Sequence, residues 1–228
     1  MKQVIQIRCK NNKKSQKVEI GSTLFDIFSA FDLKMTHGPV SARVNNKVEG
    51  MHYRVYNSKD VEFLDMTSSS GSRAYTRTLF FVLCKAVQDI YPATDVVIDI
   101  PVSNGFYVDI RLGRPVVDED VNIIRRRMQE IIDARMPIRR FTVPTEEAVA
   151  LFQEKGDVEK VKLLKTSGSI YTTYYKIGDY VDYYYGTLLT NTSQLYLFGL
   201  EKYYDGMLLR IPSLKNPDVL GEMTRQDK

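Results

Sequence analysis

Polar and apolar residues alternate along Gln3–Cys9 (QVIQIRC), the period-two pattern of a half-buried strand. QKVEI resumes the alternation after an Asn/Lys-rich turn, so the two stretches predict a hairpin. The period then changes. In GSTLFDIFSAF, Leu24, Ile27, Phe28 and Phe31 fall on one helical face, with Ser22 or Thr23 in front as a cap. VSARVNNKVEG holds an Asn45-Asn46 turn between two short strands, and DVEFLD supplies a further one. This order predicts a small β-grasp-like unit over residues 1–65. Met66–Arg73 (MTSSSGSR) is the sharpest break in composition and predicts a linker over 66–73.

A larger unit is expected over 74–211. Leu79, Val82, Leu83, Ala86, Val87 and Ile90 recur at helical spacing. DVVIDIPV and FYVDIRL read as strands joined at Asn104-Gly105. An amphipathic helix follows, with Val121, Ile124, Met128, Ile131 and Ile132 inward and Asp118, Glu119 and Asp120 at its electropositive start. PTEEAVALFQEKG predicts another helix, capped by Thr145 and ended by Gly156. Val158–Ile211 predicts strands and loops. Residues 212–228 read as an exit linker, with the start of a helix, towards a domain outside the sequence. The fold class expected is α+β.

Charge separates the two units. Residues 1–65 hold 11 Lys/Arg against 7 Asp/Glu, and the remainder is balanced. Much of the excess lies at Lys10, Lys13, Lys14 and Lys17, which form either a solvated hairpin tip or a patch for RNA or phosphate. No apolar run approaches the roughly 20 residues of a membrane span, and the N-terminus lacks the pattern of a secretory leader. Cys9 and Cys84 read as reduced thiols of a cytoplasmic protein.

Chemistry is limited by what is scarce. The only histidines are His37 and His52, so nothing beyond residue 65 offers an imidazole, and Cys84 is the one thiol there. That removes Ser-His and Cys-His nucleophile pairs and ordinary metal sites from the larger unit, where neither catalytic group nor metal is expected. No GxxxxGK[ST] or GxGxxG cradle for phosphates is present. Ten of the fifteen tyrosines crowd between Tyr171 and Tyr204. They build either a core with an amphipathic rim or a stacking platform for bases or a nucleoside.

Residues 1–65, through VEIGSTLFDIF, SARVNNKV and DVEFLD, resemble the TGS domain of threonyl-tRNA synthetases. Residues from about 73 to 210 resemble the second additional, or editing, domain of those enzymes. IYP (Ile90–Pro92), PVSNGFYVDI, DYVD (Asp179–Asp182), Gly186 and FGLEKYYDGMLLR carry that likeness. The resemblance implies a tRNA-editing fold whose HxxxH and CxxxH positions fall here on Arg77 and Phe81 and on Tyr184 and Leu188. It thus implies an inherited fold without its reaction, and a ligand cleft at Arg77, Tyr107, Asp182 and Tyr184. The same pairing of domains resembles the N-terminal region of bacterial uridine kinase-like nucleoside kinases. That likeness implies ATP and Mg²⁺ sites on a P-loop domain outside this sequence and no cofactor within it. The partners implied are RNA or a nucleotide, the kinase domain itself and, through the parent protein, a second copy; no membrane is implied. The alternative is a piece of a threonyl-tRNA synthetase-like protein or of a deacylase acting on mischarged tRNA.

Overall fold

A computed structural model describes residues 3–102 and 104–222, with the backbone alone for Asp99 and Ile100. The chain begins with β1 (Val4–Cys9), β2 (Ser15–Glu19), β3 (Ser22–Thr23), α1 (Leu24–Ala30), β4 (Ser41–Val44), β5 (Lys47–Glu49), β6 (Arg54–Val55) and β7 (Lys59–Leu64). Five of these strands make a mixed sheet in the order β2-β1-β7-β4-β5, with β1 and β7 parallel. Thr23 caps α1 as expected. Its hydroxyl accepts from the Asp26 amide at 3.2 Å, while Asp26 accepts from the Thr23 amide at 2.8 Å. Leu24, Ile27 and Phe31 then pack with Ile7, Cys9, Val61 and Phe63 in one core, the helix-on-sheet arrangement of a β-grasp. Asn45 takes the left-handed conformation (φ 54°) in the turn between β4 and β5.

Met66–Arg73 is not a linker. Helix α2 (Ser69–Ile90) starts inside it, capped by the Ser68 hydroxyl, which accepts from the Gly71 amide at 3.0 Å. Serine suits a helix N-terminus as well as a linker, and tertiary contact decides between them. Gly71 is buried against the Asp65 carbonyl and Val40, with no room for a side chain.

Helix α2 is the spine of the remaining fold. After it come β8 (Val96–Val102), β9 (Gly105–Ile110), α3 (Asp118–Asp133), β10 (Arg139–Pro144), α4 (Thr145–Glu154), α5 (Val158–Thr166), β11 (Tyr171–Ile177) and β12 (Tyr180–Tyr183), with α4 and α5 packed in a cluster of their own around Ala148, Phe152 and Leu164. After a 3-10 turn at Thr192–Gln194 come β13 (Gly199–Tyr203) and β14 (Gly206–Arg210). A four-stranded sheet, β13-β14-β9-β8, and a three-stranded sheet, β10-β11-β12, supply the strands of this part. The α+β class is as the sequence predicts. Within Val158–Ile211, however, Val158–Thr166 forms a helix, started by Asp157, whose carboxylate accepts from the Lys160 amide at 3.0 Å. Thr145 does not cap α4; its hydroxyl donates to the Ser169 carbonyl at 2.6 Å.

Asp120 fastens α3 to the end of α2. Its buried carboxylate accepts from Arg114 at 2.6 and 2.8 Å, from the Tyr91 hydroxyl at 2.6 Å and from the Val117 amide at 2.9 Å. Arg114 above all, with Tyr91 and Val117, holds its pKa well below the usual carboxylate range.

The expected exit linker is also ordered as far as Glu222. Pro212 bridges to Leu220, the Ser213 amide donates to the Val219 carbonyl at 2.9 Å, and Asn104 donates to the Glu222 carbonyl at 2.8 Å. The helix start anticipated in this tail does not form within Pro212–Glu222, and residues 223–228 lie outside the described residues. Among the described residues, no helix is long and apolar enough to cross a membrane.

Two stability measurements test these joints. Gly71→Ala should cost about 3 kcal/mol in urea unfolding, since overpacking a rigid contact typically costs 1–3 kcal/mol or more. Asp120→Asn should destabilise by about 1–3 kcal/mol. Because Asp120 has a depressed folded pKa, its contribution is present above the ordinary carboxylate pKa of about 3.9 and fades as pH falls below it. The stability of Asp120→Asn should therefore fall less steeply than that of the parent below about pH 4.

Candidate functional site

Helix α2 brings Arg77 and Phe81 to one face, four residues apart. Opposite them lie β11, β12 and the loop from Gly186 to Leu189. Phe81 is fully buried, with ring centroids 5.1 Å from Tyr180 and 5.6 Å from Tyr184. Leu188 is buried in the same cluster, and the Leu189 amide donates to the Thr78 hydroxyl at 2.9 Å. Phe81, Tyr184 and Leu188 therefore converge and fill the interior. The Tyr184 hydroxyl lies beside Cys84, and burial, with Asp182 nearby, pushes that thiol up to about 12.

Asp182 is buried beneath this aromatic layer. It accepts from Lys160 at 2.8 Å, from the Tyr180 hydroxyl at 3.0 Å and from the Tyr183 amide at 2.7 Å. Burial works against the Lys160 ammonium, but Asp182 and Asp157 more than offset it and raise its pKa. Asp182 thus serves as an anchor for α5 rather than as a group facing an open cleft.

Tyr107 does not join the expected cleft. On β9, Phe106, Val108 and Ile110 face α2, with Phe106 4.9 Å from Phe80, and strand alternation turns Tyr107 to the other side. There it meets Tyr203 at 6.2 Å. Lys10, Lys13, Lys14 and Lys17 are all exposed and grouped on the β1–β2 hairpin, with Lys13 in the left-handed conformation (φ 60°).

Arg77 keeps its guanidinium at the rim. Gly186 (φ +114°) lies directly under it, and a Cβ there would stand 2.7 Å from the Arg77 Cζ. Burial and then Arg73 lower the pKa of Arg77. Residues that the sequence reading did not single out complete this rim. Tyr175 donates from its hydroxyl to the Gly186 carbonyl at 2.8 Å, and Arg140 is its partner in register across β10 and β11. No local pattern in RRFTVP marks Arg140, because β10 exposes nearly every side chain.

Both histidines are engaged where the N-terminal sheet meets the rest of the fold. His37 stacks on Tyr196 at 3.6 Å and bonds Asp218 at 2.7 Å. His52 bonds the Ile138 carbonyl at 2.9 Å, and burial lowers its pKa. No group of three His, Cys, Asp or Glu side chains suited to a metal occurs among the described residues.

A threonine–tRNA ligase of Clostridium kluyveri is 30% identical over 193 residues, covering 84% of this chain and 30% of the ligase. Similar enzymes of Syntrophotalea carbinolica (30% over 204 residues; 85% and 32%) and Acetivibrio thermocellus (29% over 181; 79% and 28%) align likewise. The chain is related to threonine–tRNA ligases. It spans about a third of the length of these relatives. No family model matches it.

Thiol labelling checks the filled interior. Cys84 should resist iodoacetamide at pH 8 in the native protein and react on unfolding, because only the thiolate attacks. Cys84 and Tyr184 are both half-buried, so Tyr184→Ala should uncover the thiol further, raising its native labelling rate about tenfold or more as read by mass spectrometry, while costing up to about 3 kcal/mol of stability through the cavity left.

Proposed function

We propose that this chain is a non-catalytic binding and regulatory module built on a threonyl-tRNA synthetase editing fold. The observation that carries the reading is the replacement of chemistry by packing. At the four positions that the resemblance equates with HxxxH and CxxxH stand Arg77, Phe81, Tyr184 and Leu188. Phe81 and Leu188 offer no lone pairs, and the guanidinium of Arg77 stays protonated and cannot act as a base. Phe81 and Tyr184 pack ring to ring, and Leu188 is buried in the same cluster, so apolar groups stand where a nucleophile would be activated.

The module serves a larger protein, and its ligands are RNA or nucleotides met through the hairpin lysines and the Arg77 rim. The parent on this reading is a uridine kinase-like nucleoside kinase, supported by the likeness of the domain pairing. ATP and Mg²⁺ would then be held by a P-loop domain elsewhere in that protein, and a second copy would associate through the parent. ATP-dependent phosphorylation of uridine by the parent protein tests this part, and a parent without a P-loop overturns it. The relatives themselves favour a second reading, a piece of a threonyl-tRNA synthetase-like protein.

Deacylation separates a binding module from a hydrolase. Seryl-tRNA for threonine should lose its serine at the buffer rate with this chain present, with or without added zinc. Turnover above that background would replace the binding module with a deacylase.

A further inference from the structure

We propose that the rim between α2 and the β10–β11 strands binds a phosphate oxyanion, gripped by Arg77 and Arg140 with Arg73 beside them. The proposal rests on the binding-module reading and moves the point of contact. Phe81, Tyr180 and Tyr184 pack together inside, so the ligand is read at the outer lip.

Three arginines from two elements border this rim, with Arg77 and Arg140 both beside Tyr175. Arg73 and Arg77 occupy successive turns of α2 and share a face. Arg140 and Tyr175 are direct partners in register, so their side chains stand on the same side of the sheet. Tyr175 is 2% exposed and faces the α2 core, which places Arg140 towards α2 as well. The Gly186 backbone sits between the two halves. Tyr175 donates to its carbonyl at 2.8 Å, and the Arg77 guanidinium lies against its α-carbon. A side chain at 186 would displace the guanidinium.

No acid answers these charges. Among the described residues, neither Arg77 nor Arg140 forms a side-chain hydrogen bond or ion pair with a carboxylate, and Arg73 donates to the Ser70 hydroxyl at 3.3 Å. Elsewhere the fold sets acids against arginines, Arg114 with Asp120, Arg127 with Asp89 and Arg210 with Glu201, while Arg54 and Arg125 bond carbonyls instead. Glu49 adjoins Gly50, whose backbone runs beside the Thr187 side chain, but Lys47 holds it at 3.0 Å. Partial burial of a guanidinium next to a like charge is unfavourable without an anion, and the depressed pKa of Arg77 reports that cost.

The chemistry favours phosphate over a carboxylate. Arginine presents a planar fork that matches phosphate oxygens in pairs. Three guanidinium groups suit a group with up to two negative charges and several acceptor oxygens, whereas one carboxylate would leave most of the positive field unmet. Two sources carry such a group, an RNA strand and a free nucleotide.

Calorimetry of the chain with inorganic phosphate, UMP, and a short single-stranded RNA with and without a terminal phosphate tests the proposal across a salt series. Phosphate-bearing probes should bind, more weakly as salt rises. Arg77→Gln and Arg140→Gln should each weaken binding about tenfold or more, as loss of a bidentate contact does. Gly186→Ala should do the same by moving Arg77, and Lys162→Gln on the far helix should change nothing. Circular dichroism melts show whether each variant is folded. Binding of UMP without RNA assigns the site to nucleotides, and the reverse assigns it to RNA. Failure of every phosphate-bearing probe to bind overturns the site, as does unchanged affinity in folded Arg77→Gln and Arg140→Gln. RNA binding lost only in Lys13→Gln also overturns it, while leaving the module reading intact. Seryl-tRNA turnover would sink the module reading without touching the anion site.

Discussion

Burial of α2 is the constraint on which the larger part of the fold depends. The helix is 22 residues long, and 13 of them are buried. A helix covered on so many sides admits polar groups only where a partner is built for each. The Thr78 hydroxyl donates to the Ala74 carbonyl at 2.8 Å and accepts from the Leu189 amide. Tyr75 reaches the Leu197 carbonyl at 2.8 Å, and Lys85 reaches Asp89 at 3.0 Å. Phe81 needs no partner and simply packs. An apolar residue there is the cheapest occupant of a closed interior, because unpaired buried polar groups cost more than they return.

The same economy explains why charge gathers at the edge. Once aromatic rings close the interior, guanidinium groups on α2 and β10 can be solvated only at the lip, where Arg73, Arg77 and Arg140 stand. Asp182 has a partner inside because Lys160 arrives from α5 to meet it. A position that looks like part of a cleft in the sequence thus becomes a tether between a helix and a sheet.

Long periodic segments were legible in the sequence. The spacing of Leu79, Val82, Leu83, Ala86 and Val87 marks α2, and Val121, Ile124, Met128, Ile131 and Ile132 mark α3, all of them buried. Shorter or exposed elements were not. Helix α5 buries only Leu164 within its nine residues, and β10 exposes nearly every side chain, so neither imprints a period. Met66–Arg73 reads as a linker until Val40 and Asp65 are seen against Gly71. The parity of Phe106, Val108 and Ile110 already turned Tyr107 away from α2. The pairing of Arg140 with Tyr175 depends on a register that no local pattern encodes.

The parallel contact of β1 with β7 joins Ile7 to Lys59 and Cys9 to Val61. Strand β1 thus finds its central neighbour only after β7 has been made. During synthesis it must wait, paired only with β2, until some fifty further residues have left the ribosome. Its exposed edge in that interval is a template for stray strands. The lysines crowding its hairpin tip would keep such visitors at a distance by mutual repulsion, a protection that acts before any ligand is met.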